Sequence, residues 1–401
     1  MVSEKKVYDD VYEPREDSYL VKEVVESFAA GKVLDMGTGS GILAITAAGM
    51  DSVESVVAVD INSKAIDYAK KGAEELDDHE KKKLKFKKSD LFGKLKERFD
   101  TIIFNPPYLP DEKGHKDMAL DGGKNGYELI TRFLETVNDH LTQPGVVLLL
   151  FSSYSKKEKI DEAIVDNCLI SEKVAEKKIG METLYVYKIE KSTLLRELEM
   201  QGVEDVKRFA RGKRGYVYKA KLRGEDVAIK AKNPRSEAEE SIENEIKVLD
   251  FFNNENLDFI PEVMLTGHNY FVYRFIEGED IGDVISKGRK SLISHVLKEV
   301  LKMCRCLDEL GFNKEEMHRP HKHIKVQEDG SIKMLDFERC RETKTPKNVT
   351  QFCQYITSSS LLPELKTKGI IKDEKELRSS ARDYKKSPSS DTFDSIIEKI
   401  M

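Results

Sequence analysis

The chain is poor in several features that would fix its class early. Its 401 residues include five cysteines (Cys168, Cys304, Cys306, Cys340 and Cys353), none of them in a Cys-x-x-Cys pair. That excludes a disulfide framework and gives no zinc signature. The longest apolar run, Val146 to Phe151, is far short of the ~20 residues a membrane-spanning helix needs. The N-terminus is charged, so no signal peptide is expected. Internal repeats and low-complexity tracts are also missing. These absences lead us to expect a cytoplasmic protein of a reducing compartment, with no membrane attachment. Excess charge of either sign is small overall, at −6 net, but it is uneven: residues 1–190 carry 28 Lys/Arg against 36 Asp/Glu, and the remainder 39 against 37. What is present is 39% apolar and 35% charged residue, enough for real cores in two or three domains.

The first half centres on Asn105-Pro106-Pro107-Tyr108, which follows the apolar run Phe99 to Phe104. That run reads as a buried strand, and two prolines cannot continue it as a central ladder. They remove two N–H groups and leave local carbonyls free to accept. Asn105 can donate and accept, and Tyr108 offers a flat face and a hydroxyl. Such a group suits a planar C–NH2 nitrogen, with the Asn oxygen and a proline carbonyl taking its two hydrogens. Taken alone, the tetrapeptide would be a plain turn after a strand, and the upstream sequence argues otherwise. Val11 to Ser18 opens a helix with Asp17 or Ser18 as N-cap and Leu20, Val24, Val25 and Phe28 on one face. Lys32 to Asp35 reads as a strand, Met36 to Gly41 as a glycine loop, and Ile42 to Ala48 as a helix. Strand, loop and helix form a nucleotide-type cradle. The glycines Gly37, Gly39 and Gly41 are spaced G-x-G-x-G, which counts against a nicotinamide dinucleotide. The strand 56–59 ends in Asp60, placed to grip a ribose diol. The strand 84–86 ends near Ser89-Asp90-Leu91, where a carboxylate can accept from an exocyclic amine. Asp35, Asp60, Asp90 and Asn105 thus fall at successive strand ends, the edge where open α/β sheets bind ligands. A strand at 145–151 and a last one at 182–189, paired near 173–178, complete a seven-stranded mixed sheet. The lysines from Lys81 to Lys88 read as a solvated turn before a strand.

Residues 5–190 resemble a class I, Rossmann-like S-adenosylmethionine-dependent methyltransferase of the HemK type, in its short archaeal and eukaryotic branch. The resemblance rests on VYEPREDSYL (11–20), VLDMGTGSG (33–41), VDIN (59–62), SDLF (89–92), NPPYLP (105–110) and DGGKNGYELI (121–130). It implies methylation of the glutamine side-chain amide in the Gly-Gly-Gln tip of a peptide chain release factor, a step of translation termination. It assigns Ser18, Asp35, Gly37, Asp60, Asp90, Leu91 and Asn105 to the cofactor, and Asn105, Pro106, Pro107 and Tyr108 to the substrate amide. A small zinc-binding activator subunit is a further implied partner. An acidic, carbonyl-rich wall suits a cationic sulfonium. No Asp or Glu within the motif offers a general base, so catalysis is expected to come from positioning. The competing reading is transfer to an exocyclic amine of RNA or DNA. The acidic balance of residues 1–190 disfavours a polyanion, although the second half could add RNA or ribosome contacts.

Residues 191–401 are expected to form a second, α+β domain after a helix or linker at 194–210. A glycine hairpin (Gly212, Gly215) precedes Val227-Ala228-Ile229-Lys230, a helix carries Glu245, an apolar strand runs from Phe271 to Ile276, and Leu335-Asp336-Phe337-Glu338 comes much later. The order resembles a minimal protein kinase of the RIO or small KEOPS type, with an N-lobe at about 205–278 and a reduced C-lobe at about 279–401. The resemblance implies ATP and magnesium: Gly212 and Gly215 over the phosphates, Lys230 on phosphates and Glu245, Asp336 on the metal, and residues 274–276 as the adenine hinge. The catalytic loop departs from the pattern. Glu316 is one candidate for the catalytic carboxylate, but counting back from His323 puts His318 there. The usual metal-binding Asn is missing, so a pseudokinase scaffold stays open. His318, His321 and His323 suggest either a metal or, as the better reading, a basic phosphate-binding loop.

Overall fold

The structure is a computed structural model describing residues 11–110, 123–211, 215–233 and 241–401. Gly212, and Asp121 and Gly122 of the DGGKNGYELI stretch, lie outside the described residues. The chain divides into two compact units, Met1–Lys207 and Arg208–Met401.

The first unit runs α1 (Glu16–Phe28), β1 (Gly31–Met36), α2 (Ile42–Ala48), β2 (Val53–Asp60), α3 (Ser63–Gly72), α4 (Asp78–Lys83), β3 (Leu84–Lys88), β4 (Phe99–Phe104), α5 (Glu128–Leu134), β5 (Leu141–Ser152), α6 (Lys157–Asp166), β6 (Leu169–Ile179), β7 (Glu182–Lys191) and α7 (Thr193–Met200). Its sheet has seven strands in the order β3-β2-β1-β4-β5-β7-β6. The first five are parallel, and β7 is antiparallel to both β5 and β6. Central strands are apolar on both faces because both faces are covered: Val33, Leu34, Ile102, Ile103, Phe104 and Val147 to Phe151 are all buried. Leu20, Val21, Val24 and Val25 of α1 and Leu43, Ala44, Ala47 and Ala48 of α2 pack into one core with Val33, Val56, Ala58 and Ile103. Full burial of such side chains favours the fold by about 1.5–3 kcal/mol each for the larger ones. Strand order reverses between β1 and β4, whose ends pair Met36 with Phe104. Gly37 and Asn105 therefore leave the sheet side by side at the switch point.

Three local expectations change. The N-cap of α1 is Arg15, with no side-chain cap; Asp17 and Ser18 lie in the first turn and are buried. The lysines at 81–88 are not a turn: Lys81 to Lys83 close α4, whose N-terminus has an Asp77–Glu80 capping box, and Lys85, Lys87 and Lys88 lie on the edge strand β3. Lysines at a helix C-terminus complement its dipole, and on a sheet edge they discourage pairing with another chain. The stretch after 194 is a helix and then a strand, β8 (Val203–Arg211), rather than a linker.

The second unit's sheet takes β8 at one edge, with β9 (Gly215–Leu222), β10 (Glu225–Lys232), β11 (Val263–Gly267) and β12 (Tyr270–Arg274), in the order β11-β12-β10-β9-β8. Arg223 and Gly224 both have positive φ, 53° and 83°, as a two-residue hairpin requires, and they set the β9–β10 register that pairs Val217 with Lys230. Helix α8 (Ser241–Asn254) carries Glu245. Then follow β13 (Glu279–Asp280), α9 (Ile281–Lys287), α10 (Lys290–Glu309), β14 (Phe312–Asn313), β15 (Ile324–Val326), β16 (Ile332–Met334), β17 (Arg341–Glu342), α11 (Asn348–Ile356), α12 (Leu362–Thr367), α13 (Glu374–Lys386) and α14 (Ser390–Ile397). Helix α10 buries Ile293, Val296, Leu297, Val300, Leu301, Cys304 and Leu307, the helical-face spacing of a core element. Among the described residues no helix is long and apolar enough to cross a membrane.

Candidate functional site

A cavity of about 900 Å³ opens at the carboxyl ends of β1, β2 and β4. Its walls are Met36 to Ser40 after β1, Asp60 to Asn62 after β2, Ser89 to Leu91 after β3, Phe104 to Leu109 after β4, and Tyr12, Asp17 and Ser18 from the start of the chain. The fold thus gathers Ser18, Gly37, Gly39, Asp60, Asp90, Leu91, Asn105, Pro106, Pro107 and Tyr108 around one space. Asp35 and Gly41 stand behind the wall.

Each glycine-loop partner has a mechanical role. Asp35 is buried, and its Oδ2 accepts from Thr38 Oγ1 at 2.6 Å and from the Ala44 amide at 3.1 Å, tying the loop to α2. Its Oδ1 has no partner, and burial pushes its carboxyl up to about 6. Gly41 holds φ +85° at the N-cap of α2, where a Cβ would meet the Ala69 Cβ at 2.8 Å. Asp60 Oδ2 accepts from the Gly39 amide at 3.0 Å and Oδ1 from the Asn62 amide at 2.8 Å. Burial raises its carboxyl against those bonds. A carboxylate with two amides on it keeps lone pairs for a diol. Asp90 differs from expectation, since Arg132 of α5 holds both its oxygens, at 2.9 and 3.0 Å. That pair is more than half exposed and contributes little to stability.

At the Asn-Pro-Pro-Tyr stretch, Asn105 Nδ2 donates to Asp17 Oδ2 at 2.9 Å, and Tyr12 donates its hydroxyl to Asp17 Oδ1 at 3.0 Å. Asn105 Oδ1 is buried and without a hydrogen-bond partner. Burial, then the charge of Asp17, keep both Tyr12 and Tyr108 above the usual phenol range. The Tyr108 carbonyl accepts from Ser155 Oγ at 2.8 Å. Gly126, at φ +81°, abuts the same carbonyl, where a Cβ would come to 2.4 Å. Sequence reasoning took Asp17 for a cap and passed over Tyr12 and Gly126. The available signal was an acid in the first turn of an amphipathic helix, on the same side as Leu20 and Val24.

The second unit gathers its own group. Lys230 Nζ lies 2.6 Å from Glu245 Oε2, 2.8 Å from Asp336 Oδ1 and 3.8 Å from Glu338 Oε2. Burial would lower the Lys230 ammonium, and the Glu245 and Asp336 charges overcome it and hold it above its usual range. Burial would raise the Asp336 carboxyl, and Lys230 and Lys314 hold it below the carboxylate range instead. Asp336 sits at φ +63°, with its carbonyl bound by the fully buried Lys314 and its Oδ2 3.5 Å from His323 Nε2. Glu245 Oε1 accepts from the Phe337 amide at 2.8 Å. Oxygens of Glu245, Asp336 and Glu338 lie within 4.8 Å of one another, so these three could hold a divalent cation. Gly215 opens β9, close against Ala231. Glu316, at φ +74°, is in an ion pair with Arg339 at 2.6 Å.

Glycine loop, acid after β2 and cavity at the switch point together define an S-adenosylmethionine-dependent methyltransferase. Residues 16–179 match the family model described as "Methyltransferase small domain". A putative protein N5-glutamine methyltransferase of Methanocaldococcus jannaschii is 38% identical over 163 residues, covering 39% of this chain and 80% of that protein. The methyltransferase HEMK2 of Homo sapiens is 31% identical over 196 residues, covering 46% of this chain and 92% of that protein. A solved structure, the Mtq2–Trm112 complex of E. cuniculi, is 27% identical with a TM-score of 0.37, covering 46% of this chain and 99% of that one. The chain belongs, through its first unit, to the HemK-type protein glutamine methyltransferases, and it is an S-adenosylmethionine-dependent N-methyltransferase.

Proposed function

We propose that the first unit methylates the side-chain amide nitrogen of a glutamine in a protein, namely the glutamine of the Gly-Gly-Gln tip of a peptide chain release factor. The observation that carries this reading is the buried, unpartnered Oδ1 of Asn105, whose own amide hydrogens are turned away toward Asp17. A buried acceptor left without a donor is costly, and an incoming amide N–H relieves that cost. The Pro106 carbonyl suits the second hydrogen. With both hydrogens held, the nitrogen presents its face, and not an edge, to the cavity beside Gly37. S-adenosylmethionine, whose ribose suits Asp60 and whose adenine suits Leu91, supplies the electrophilic methyl group there. A neutral amide is a weak nucleophile, so the contribution of Asn105 and Pro106 is orientation. Asp17 is bonded to Asn105 and Tyr12 rather than to the reacting nitrogen. It sets the amide orientation and is not a general base; the proton that the nitrogen sheds as the methyl group is added passes to water.

The test is labelling with methyl-tritiated cofactor in lysate, followed by protease or RNase digestion. Protease-sensitive label on a Gly-Gly-Gln peptide supports the reading. Label lost only to RNase would assign the clamp to a nucleic-acid amine instead. Two further parts belong to this proposal. A small zinc-binding activator subunit is carried from the family, and a fully active, monodisperse chain purified alone would remove it. The second unit binds ATP with magnesium, supported by the Lys230–Glu245–Asp336 arrangement, with Glu245, Asp336 and Glu338 as the residues that would hold the metal. Phosphotransfer by it is slow or restricted, because Glu316 is engaged by Arg339. Calorimetry with ATP, with and without magnesium, tests this part.

A further inference from the structure

A second cavity, of about 780 Å³, lies in the second unit among β14, β17, the 315–323 loop and the start of α11. Its lining holds five Lys/Arg against two Glu, together with three histidines. Both acids are already spoken for: Arg339 holds Glu316 at 2.6 Å, and Arg341 holds Glu315. Arg319, Lys322 and Lys347 remain, all exposed, and among the described residues no carboxylate lies within ion-pair distance of them. The walls are braced from behind. Asn313 Oδ1 accepts from the Lys347 amide at 2.9 Å, and the Gly311 carbonyl accepts from the Thr343 amide at 2.7 Å. At its inner end the groove reaches His323, whose Nε2 is 3.5 Å from Asp336.

We infer that this groove binds a short anionic peptide segment and holds it beside Asp336. Three uncompensated cations on a braced, concave wall attract and orient negative charge. The occupant is a peptide rather than a nucleic acid for two reasons. The lining holds no Phe, Tyr or Trp, the larger stacking faces of single-strand binding sites, and leaves that role to its histidines and arginines alone. Over residues 191–401, the groove included, the charge is nearly balanced, with 39 Lys/Arg and 37 Asp/Glu, so this half of the chain lacks the net positive charge that favours a phosphate backbone. The anionic groups could be carboxylates or phosphates, and both suit Arg and Lys donors. The position beside Asp336 gives the inference its meaning only if the second unit is a nucleotide site, so in that respect it rests on the reading above, while the binding event itself does not.

Fluorescence anisotropy on the full chain tests it with three labelled probes of equal length: an Asp/Glu-rich peptide, a phosphoserine peptide, and single-stranded RNA. The expected result is binding of one or both peptides ahead of RNA, weakened about tenfold or more in the Arg319→Ala/Lys322→Ala/Lys347→Ala variant. All three side chains are exposed, so the variant is expected to keep its melting temperature and its methyltransferase activity. Should the triple variant lose stability, the three single variants replace it, each expected to weaken peptide binding about two- to fourfold. The two peptide arms separate a carboxylate from a phosphate source. Peptide binding without ATP binding would leave the groove standing and remove the nucleotide reading. RNA binding tighter than both peptides, no binding of either peptide, or unchanged peptide affinity in a folded triple variant would each overturn the inference.

Discussion

Asp17 is the residue whose removal tests the site most sharply. A free asparagine amide can present either its oxygen or its NH2 to the cavity, and only the oxygen can accept from a substrate amide. In the structure the choice is made by Asp17, 4% exposed, which takes the Asn105 Nδ2 hydrogen at 2.9 Å while Tyr12 fixes its other oxygen at 3.0 Å. A hydrogen bond to a charged group stabilises by about 1.5–3 kcal/mol, so the productive orientation is favoured by at least that much. In Asp17→Ala this preference disappears, and a flipped amide would face the substrate's N–H with its own. A loss of about 1.4–2.8 kcal/mol in transition-state positioning corresponds to about 10–100-fold in single-turnover rate. Asp17→Asn keeps an acceptor for Asn105 and lets Tyr12 accept instead of donate, so we expect its rate within about fivefold of the native protein. The assay is single-turnover methylation of a Gly-Gly-Gln peptide alongside calorimetric cofactor affinity. Wild-type turnover in Asp17→Ala, or a rate loss matched by an equal loss of cofactor affinity, would refute the orienting role.

Asp60→Ala should weaken cofactor binding by about 1–3 kcal/mol through loss of charge-assisted bonds, and calorimetry gives the figure directly. Gly126→Ala forces a Cβ to 2.4 Å from the Tyr108 carbonyl at a φ of +81°; it should lower turnover far more than cofactor affinity, read by the same pair of assays. Asp35 titrates near 6 in the fold against 3.8 for an ordinary Asp, so its protonated form is favoured by folding. Its contribution is complete below pH ~4 and is lost as the pH rises through about 6, at a cost of about 3 kcal/mol. Asp35→Asn should therefore flatten the stability profile between pH 4 and 6, as denaturant melts across that window will show. Lys230→Ala leaves the buried Glu245 facing Asp336 without its cation, at about 3–5 kcal/mol; it should abolish ATP binding and lower the second unit's melting temperature, whereas Asp336→Ala should abolish binding with a smaller thermal loss.

What could be read from the chain was whatever depended on neighbours in sequence. The apolar runs at 33–34, 102–104 and 146–151 announce strands buried on both faces, and Asp35 and Asn105, which end the first two, mark the ligand edge of a parallel sheet. Gly224 between two apolar runs announces a turn, but Arg223, not a residue that favours positive φ, takes it at 53° because the two-residue hairpin requires it. Contacts between distant segments were beyond that reasoning. Asp17 and Asn105 are 88 residues apart, and Asp17 looked like a cap because acids at helix starts usually are caps. It could not be recognised as the partner of Asn105 until α1 was laid against the end of β4, and that packing is set by Leu20, Val21, Val24 and Val25. The same limit explains Asp90, whose carboxylate looked available until Arg132, 42 residues on, was brought to it. In the second unit the pairing of Lys230 with Glu245 was implied by the kinase resemblance, whereas the contact of Lys230 with Asp336, which that resemblance placed on a metal, was not. The pairing of Glu316 with Arg339 was not expected either, because it needs the loop after Asp336 to return across the 315–323 segment. That return engages the one carboxylate proposed for phosphotransfer. It also leaves Arg319, Lys322 and Lys347 uncompensated, so the same fold-level contact restrains the proposed catalysis and forms the anion groove beside it.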